Sequence, residues 1–90
     1  MKLCIFSVYD AKAEAYVNPF YMRSKGEAIR AFTGEVNNKE SMYNKHSEDF
    51  TLFQLGEFDA RTGEIKCYDV KQPLGCAIEY RKQDGLKVVE

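Results

Sequence analysis

The sequence predicts an α+β domain, with one capped helix packed on a small antiparallel or mixed sheet in the order β-β-α-β-β-β. Three observations predict it. One stretch carries both a helix start signal and an apolar stripe at helical spacing. Several short runs rich in β-branched and aromatic residues alternate with turn signals. The length, 90 residues, suits a single core.

Leu3 to Tyr9 is the first strand. Its apolar side chains fall on both parities, as in a central strand buried on both faces. The run from Asp10 to Glu14 breaks it. Ala15 to Met22 reads as a second strand, and Pro19 within it demands an edge or a bulge. The helix follows. Ser24 is a good N-cap, and Glu27 three residues on completes a capping box. Ala28, Ile29, Phe32 and Val36 repeat at helical spacing. Asn37-Asn38 is the stop, and Gly34 invites fraying of the last turn at a cost of up to about 1 kcal/mol relative to Ala.

Lys39 to Asp49 reads as a polar loop with room for one helical turn. Phe50 to Phe58 is a strand, and Asp59 to Gly63 is a hairpin loop in which Gly supplies positive φ. Glu64 to Val70 is the returning strand, Gln72 to Gly75 a turn, and Cys76 to Arg81 a short last strand. The single domain is expected to span residues 1–82, with residues 83–90 as a loose charged tail.

One helix covers one sheet face. The other face must be solvated or covered by a second copy, and six Tyr and six Phe favour a homo-oligomer. Net charge is −1, with seven Lys/Arg against five Asp/Glu through Lys45 and six against nine after it. A protein that coats nucleic acid by charge alone is basic overall, so any nucleic-acid contact must come from a local patch. The three cysteines, Cys4, Cys67 and Cys76, match no zinc pattern and are expected as free thiols. The chain shows no signal peptide and no apolar run approaching the roughly 20 residues that span a bilayer. Cytoplasmic localisation without a membrane partner is therefore expected.

Candidate chemistry is sparse. His46 with Glu48 and Asp49 lacks the second His or nearby Cys that a zinc site wants, and Asp10 with Glu14 reads as two acids flanking a turn. No nucleophile–base set converges, so no catalytic residue, metal or cofactor is assigned and the protein is expected to bind rather than catalyse. The best anion candidate is the start of the helix, where Arg23, Lys25 and Arg30 gather near free backbone N–H groups. Glu27 competes there for the same groups. The second candidate is aromatic: Tyr9, Tyr16, Phe20 and Tyr21 lie close in sequence to Lys12, Arg23 and Lys25, and bases stacked on such rings gain about 1–3 kcal/mol each.

Several blocks resemble a known family. They are Phe6-Ser7-Val8-Tyr9-Asp10, Lys12-Ala13-Glu14-Ala15-Tyr16, Pro19-Phe20, Lys25-Gly26 and Ala28-Ile29-Arg30-Ala31-Phe32. They continue with His46, Glu48 to Phe53, Leu55-Gly56, Phe58-Asp59 and Ala77-Ile78-Glu79. In this order they resemble the small nonstructural protein of gokushovirus-type phages of the Microviridae, over roughly the first 80 residues. Ser47 stands where that family often has proline, and the segment from Arg61 to Leu74 departs from the pattern, as does the tail. The resemblance implies a nonstructural, DNA-binding protein acting in single-stranded genome synthesis or packaging within the bacterial host. It carries over no catalytic residue. The expected function is single-stranded DNA binding through Arg23, Lys25, Arg30, Tyr16, Phe20 and Tyr21. The alternative is a homodimeric adaptor recruiting a phage replication or capsid protein or a host factor.

Overall fold

A computed structural model describes residues 1–82. The expected loose tail, residues 83–90, lies outside the described residues. Among them, β1 (Lys2–Asp10), β2 (Ala15–Tyr16) and β3 (Phe20–Met22) precede helix α1 (Lys25–Val36). A short helix α2 (Met42–Lys45) and a 3-10 turn (Ser47–Asp49) lead into β4 (Phe50–Asp59), β5 (Ile65–Cys76) and a last helical turn, α3 (Ala77–Tyr80). The fold is α+β, with every strand pairing antiparallel. The sheet runs β2-β1-β4-β5, and β3 pairs with β1 beside β2. β1 and β4 are therefore the interior strands, as the two-sided apolar pattern of β1 predicts.

The chain departs from expectation in two places. The expected second strand is split into β2 and β3 by Val17-Asn18-Pro19, because proline has no N–H to give to the ladder. The expected turn at Gln72–Gly75 lies inside β5, and the residues expected to form a last strand after Cys76 form α3 instead. The Glu79 carboxylate accepts from the Cys76 N–H at 3.4 Å, which supports a helix start where apolar content alone suggested a strand.

Helix α1 follows its sequence signals. The Ser24 hydroxyl accepts from the Glu27 N–H at 3.2 Å, and the Glu27 carboxylate accepts from the Arg23 N–H at 3.1 Å. The helix holds through Gly34 to Val36 and ends at Asn37. Its last carbonyls are taken up by side chains: Asn37 Nδ2 donates to Thr33 O, and Asn44 Nδ2 donates to Val36 O. Asn37 also receives the Lys82 N–H and donates to Tyr80 O, which ties α3 to the end of α1.

The stripe Ala28, Phe32 and Val36 is buried against Phe6, Val8, Phe50 and Leu52 of the interior strands. Tyr43 of α2 closes one end of this core against Phe32 and Phe50, with ring centroids 5.6 and 4.8 Å apart. At the far end, the β4–β5 hairpin turns through Asp59–Gly63, where Gly63 has φ +79°, a value that L residues with a Cβ rarely adopt.

β4 is irregular at three points, one of them between Leu52 and Phe53, which pair with Gly75 and Pro73 and leave Leu74 of β5 extra. Ile5 pairs with Gly56 but Phe6 pairs with Gln54, so Leu55 is an extra residue. On the other side, Gly56 pairs with Cys67 and Gln54 with Gln72, so Tyr68–Lys71 of β5 form an excursion opposite a single residue of β4. Bulges of this kind bend and twist a strand. At Gly56 the β5 backbone comes so close that a Cβ would collide with Lys66 O.

Candidate nucleic-acid interface

Strand alternation sorts the side chains of the sheet into two faces. On β1, Cys4, Phe6 and Val8 pack against the core under α1. Leu3, Ile5, Ser7 and Tyr9 take the opposite parity and form the open face. Ile5 is only 5% exposed yet belongs to no part of the helix-side core. Its cross-strand neighbours are Tyr21 and Gly56, and the rings of Tyr21 and Phe58 meet edge to face beside it, with centroids 5.9 Å apart.

The open face carries two aromatic stations. At one end, Asp10 closes the turn after β1 by accepting from the Lys12 and Ala13 N–H groups. This turn sets Tyr16 directly across from Tyr9, with ring centroids 4.9 Å apart. Phe53 meets Tyr16 at 5.7 Å in an edge-on contact, and the Lys71 ammonium, carried by the β5 excursion, lies over the Tyr16 ring at 5.9 Å. The other station is Tyr21 with Phe58. Tyr16 is 42% and Tyr21 44% exposed. Beyond Phe58, Ile65 and Cys67 of β5 extend the apolar strip and are exposed.

The carboxylates of the interior strands lie on the other side. Glu57 pairs with Cys4, Asp59 with Lys2, and Asp10 follows Val8 by two residues, so all three share the parity of the helix-side face. There Glu57 pairs with Lys2 at 3.8 Å and accepts from the Tyr68 hydroxyl at 3.4 Å. Burial and the Glu57 charge hold the Tyr68 phenol above its ordinary pKa. Tyr43, in the core, is raised by burial and then by the Glu35 and Asp10 charges. The strand positions of β1 and β4 that face the open side carry no charge.

The residues expected to act together are divided. Tyr16 and Tyr21 share the open face. Phe20 does not: its ring stacks on Phe6 at 5.7 Å on the helix side, because it is one residue from Tyr21 along a strand. Arg23 and Lys25 stand at the rim between sheet and helix. Their backbone neighbours are occupied by the capping box, with Glu27 on the groups an anion would use. Arg30 is exposed on α1, in the layer beyond the sheet from both tyrosines. Phe53, Phe58 and Lys71 share the open face with Tyr9, Tyr16 and Tyr21 without having been singled out from sequence. Phe53 and Phe58 have opposite parities, and only the extra residue Leu55 brings them to one face.

His46 and Asp49 line a separate cavity of about 300 Å³ with Asp10, Lys12, Met42 and Phe50. Among the described residues no group of three His, Cys, Asp or Glu is close enough to hold a metal ion. Cys4, Cys67 and Cys76 are free thiols. No helix among the described residues is long and apolar enough to cross a membrane.

Neither curated proteins nor solved structures give a match. The profile of the Phage ORF5 protein family does match, and it spans residues 3–80. That span runs from the start of β1 to the end of α3 and takes in both aromatic stations, so the chain belongs to the Phage ORF5 protein family.

Proposed function

We propose that this phage protein is a nonstructural accessory of gokushovirus-type phages of the Microviridae. It binds single-stranded DNA across the open face of its sheet, during single-stranded genome synthesis or packaging in the cytoplasm of the bacterial host. One observation carries the reading: Tyr16 and Tyr21 stand 42% and 44% exposed on one face whose interior strands present no carboxylate. Every base has a π-face, so rings on a sheet bind single strands without reading their sequence, and need little net charge to do so. A net charge of −1 is compatible with that mode. Lys71 lies over Tyr16 and Arg23 follows Tyr21 by two residues, so each station has a cation to meet phosphate. Two phosphate contacts imply a salt slope of only about −1.4 for a single strand.

The test is fluorescence anisotropy of a labelled thymidine oligonucleotide. Tyr16→Ala and Tyr21→Ala are each expected to weaken binding roughly 5- to 150-fold, the span of one lost stacked base. Lys25→Ala with Arg30→Ala is expected to change it by less than about twofold, since both cations lie off the open face. Wild-type protein that binds no single strand at low salt would contradict the reading.

A second reading rests on the strip Leu3, Ile5, Phe58 and Ile65, which is apolar out to the β5 edge, with Ile65 55% exposed. A second copy covering this strip would make the protein a homodimeric adaptor for a phage replication or capsid protein or a host factor. Sedimentation equilibrium distinguishes the two. A dimer split by Ile65→Glu, with no oligonucleotide binding, would replace the first reading by the second.

A further inference from the structure

We infer that the open face binds a three-nucleotide unit of single-stranded DNA, with the first and third bases stacked on the two stations and the middle base unread. The inference rests on the reading of that face as a single-strand interface and adds its footprint. Tyr16 is held across from Tyr9, and Tyr21 across from Ile5, so the stations lie four β1 residues apart. At the rise of an antiparallel strand this is about 14 Å. Bases kept in a stack lie about 3.4 Å apart along one strand, and crossing between the stations in two steps takes a strand drawn out to roughly twice that spacing. Two stretched steps therefore join the stations.

The stretched form suits this face because splayed bases can each lie on a protein ring, as sheets that bind single strands use them. A strand that stayed stacked would need five nucleotides to cover the same span. What lies between the stations decides the middle base. Ser7, midway between the stations, is 1% exposed, and Phe53 across from it is turned onto Tyr16 as part of the first station, with ring centroids 5.7 Å apart. The Ser7 hydroxyl is already donated to Val17 O at 2.7 Å. The middle base thus meets no ring outside the two stations, and the Ser7 hydroxyl beneath it is already engaged. The cations fit the same unit: Lys71 lies over the first station, and Arg23 follows Tyr21 at the other.

The experiment is an NMR titration of the full-length wild-type protein with d(TTT) and its three singly abasic forms, with d(TT) and d(TTTTT) as length controls. The abasic form lacking the middle base is expected to bind within about twofold of d(TTT). Each form lacking an end base is expected to bind at least fivefold more weakly, the lower bound for one stacked base, and to leave one station's ring signals unmoved. The dinucleotide is expected to bind as weakly as the end-abasic forms. A middle abasic site that costs as much as an end one overturns the footprint but leaves single-strand binding standing. So does a further fivefold gain on going to d(TTTTT). Absence of binding by every oligonucleotide overturns both.

Discussion

The ring of Phe20 stacks on the ring of Phe6, with centroids 5.7 Å apart and planes 26° apart, on the helix side of the sheet. That contact removes Phe20 from the face that holds Tyr16 and Tyr21. Stability and binding should therefore separate by residue. Phe6 is fully buried, and Phe6→Ala is expected to cost about 3–5 kcal/mol. Phe20→Ala is expected to lower stability while folded protein keeps its oligonucleotide affinity. Tyr16→Ala should do the reverse, with a stability change of about 1 kcal/mol or less and a clear loss of affinity. Urea denaturation alongside anisotropy checks all three.

Gly56 is a point of close approach rather than of unusual backbone angle. A Cβ there would strike Lys66 O and crowd the Cα of Cys67, and backbone atoms cannot swing aside as a side-chain end can. Gly56→Ala is expected to destabilise by about 1–3 kcal/mol, the usual cost of overpacking. Gly34→Ala, with no atom within 4 Å of its added Cβ, is expected to stabilise α1 by up to about 1 kcal/mol. Thermal unfolding of the two variants should move in opposite directions.

Much of this fold is legible in the sequence, and the reasons it stops being legible are local. Ser24, Glu27 and the stripe through Val36 specify α1 because capping and a 3.6-residue period act within a few residues of chain. Leu3 to Tyr9 reads as an interior strand because both of its faces are apolar. The extra residue at Leu55 and the Tyr68–Lys71 excursion are set by pairing between strands distant in sequence; Gly56 beside Leu55 hints at an irregularity but does not fix which residue is extra. Those irregularities put Phe53 and Phe58 on one face and bring Lys71 over Tyr16. The make-up of the open face was accordingly half visible. Tyr16 and Tyr21 could be picked out as aromatics near cations, but the cations picked with them, Lys25 and Arg30, belong to the helix layer.

Ser47 bears on stability through a different route. Its side chain is fully buried, and its hydroxyl has no hydrogen-bond partner among the described residues. A buried hydroxyl without a partner retains its desolvation cost. Ser47→Ala is therefore expected to leave stability unchanged or raise it by up to about 1 kcal/mol. Ser24→Ala, which removes the N-cap acceptor of α1, is expected to cost about 1 kcal/mol. Chemical denaturation of the pair reads both signs.

Alkaline pH should reveal Tyr68 and Tyr43. Burial first, and then neighbouring carboxylates, raise both phenols above the ordinary 10.0. Below pH 10 both phenols are neutral whether the chain is folded or unfolded, and their contribution to stability is fully present. As pH rises further the unfolded chain ionises first, so that contribution is lost through the folded-state pKa values. Glu57→Gln removes the charge beside Tyr68 and is expected to lower its pKa while leaving Tyr43 unmoved. Ultraviolet titration of phenolate in the variant and the wild type measures this directly.

The central claim is that the open face of the sheet, and not the start of α1, meets single-stranded DNA. Amide and ring chemical-shift mapping with a thymidine decamer tests it most directly. The account predicts that the largest shifts cluster on Ser7, Tyr9, Tyr16, Tyr21, Phe53, Phe58 and Lys71. The largest shifts on Ser24 to Arg30, or no shifts at all at low salt, would contradict it.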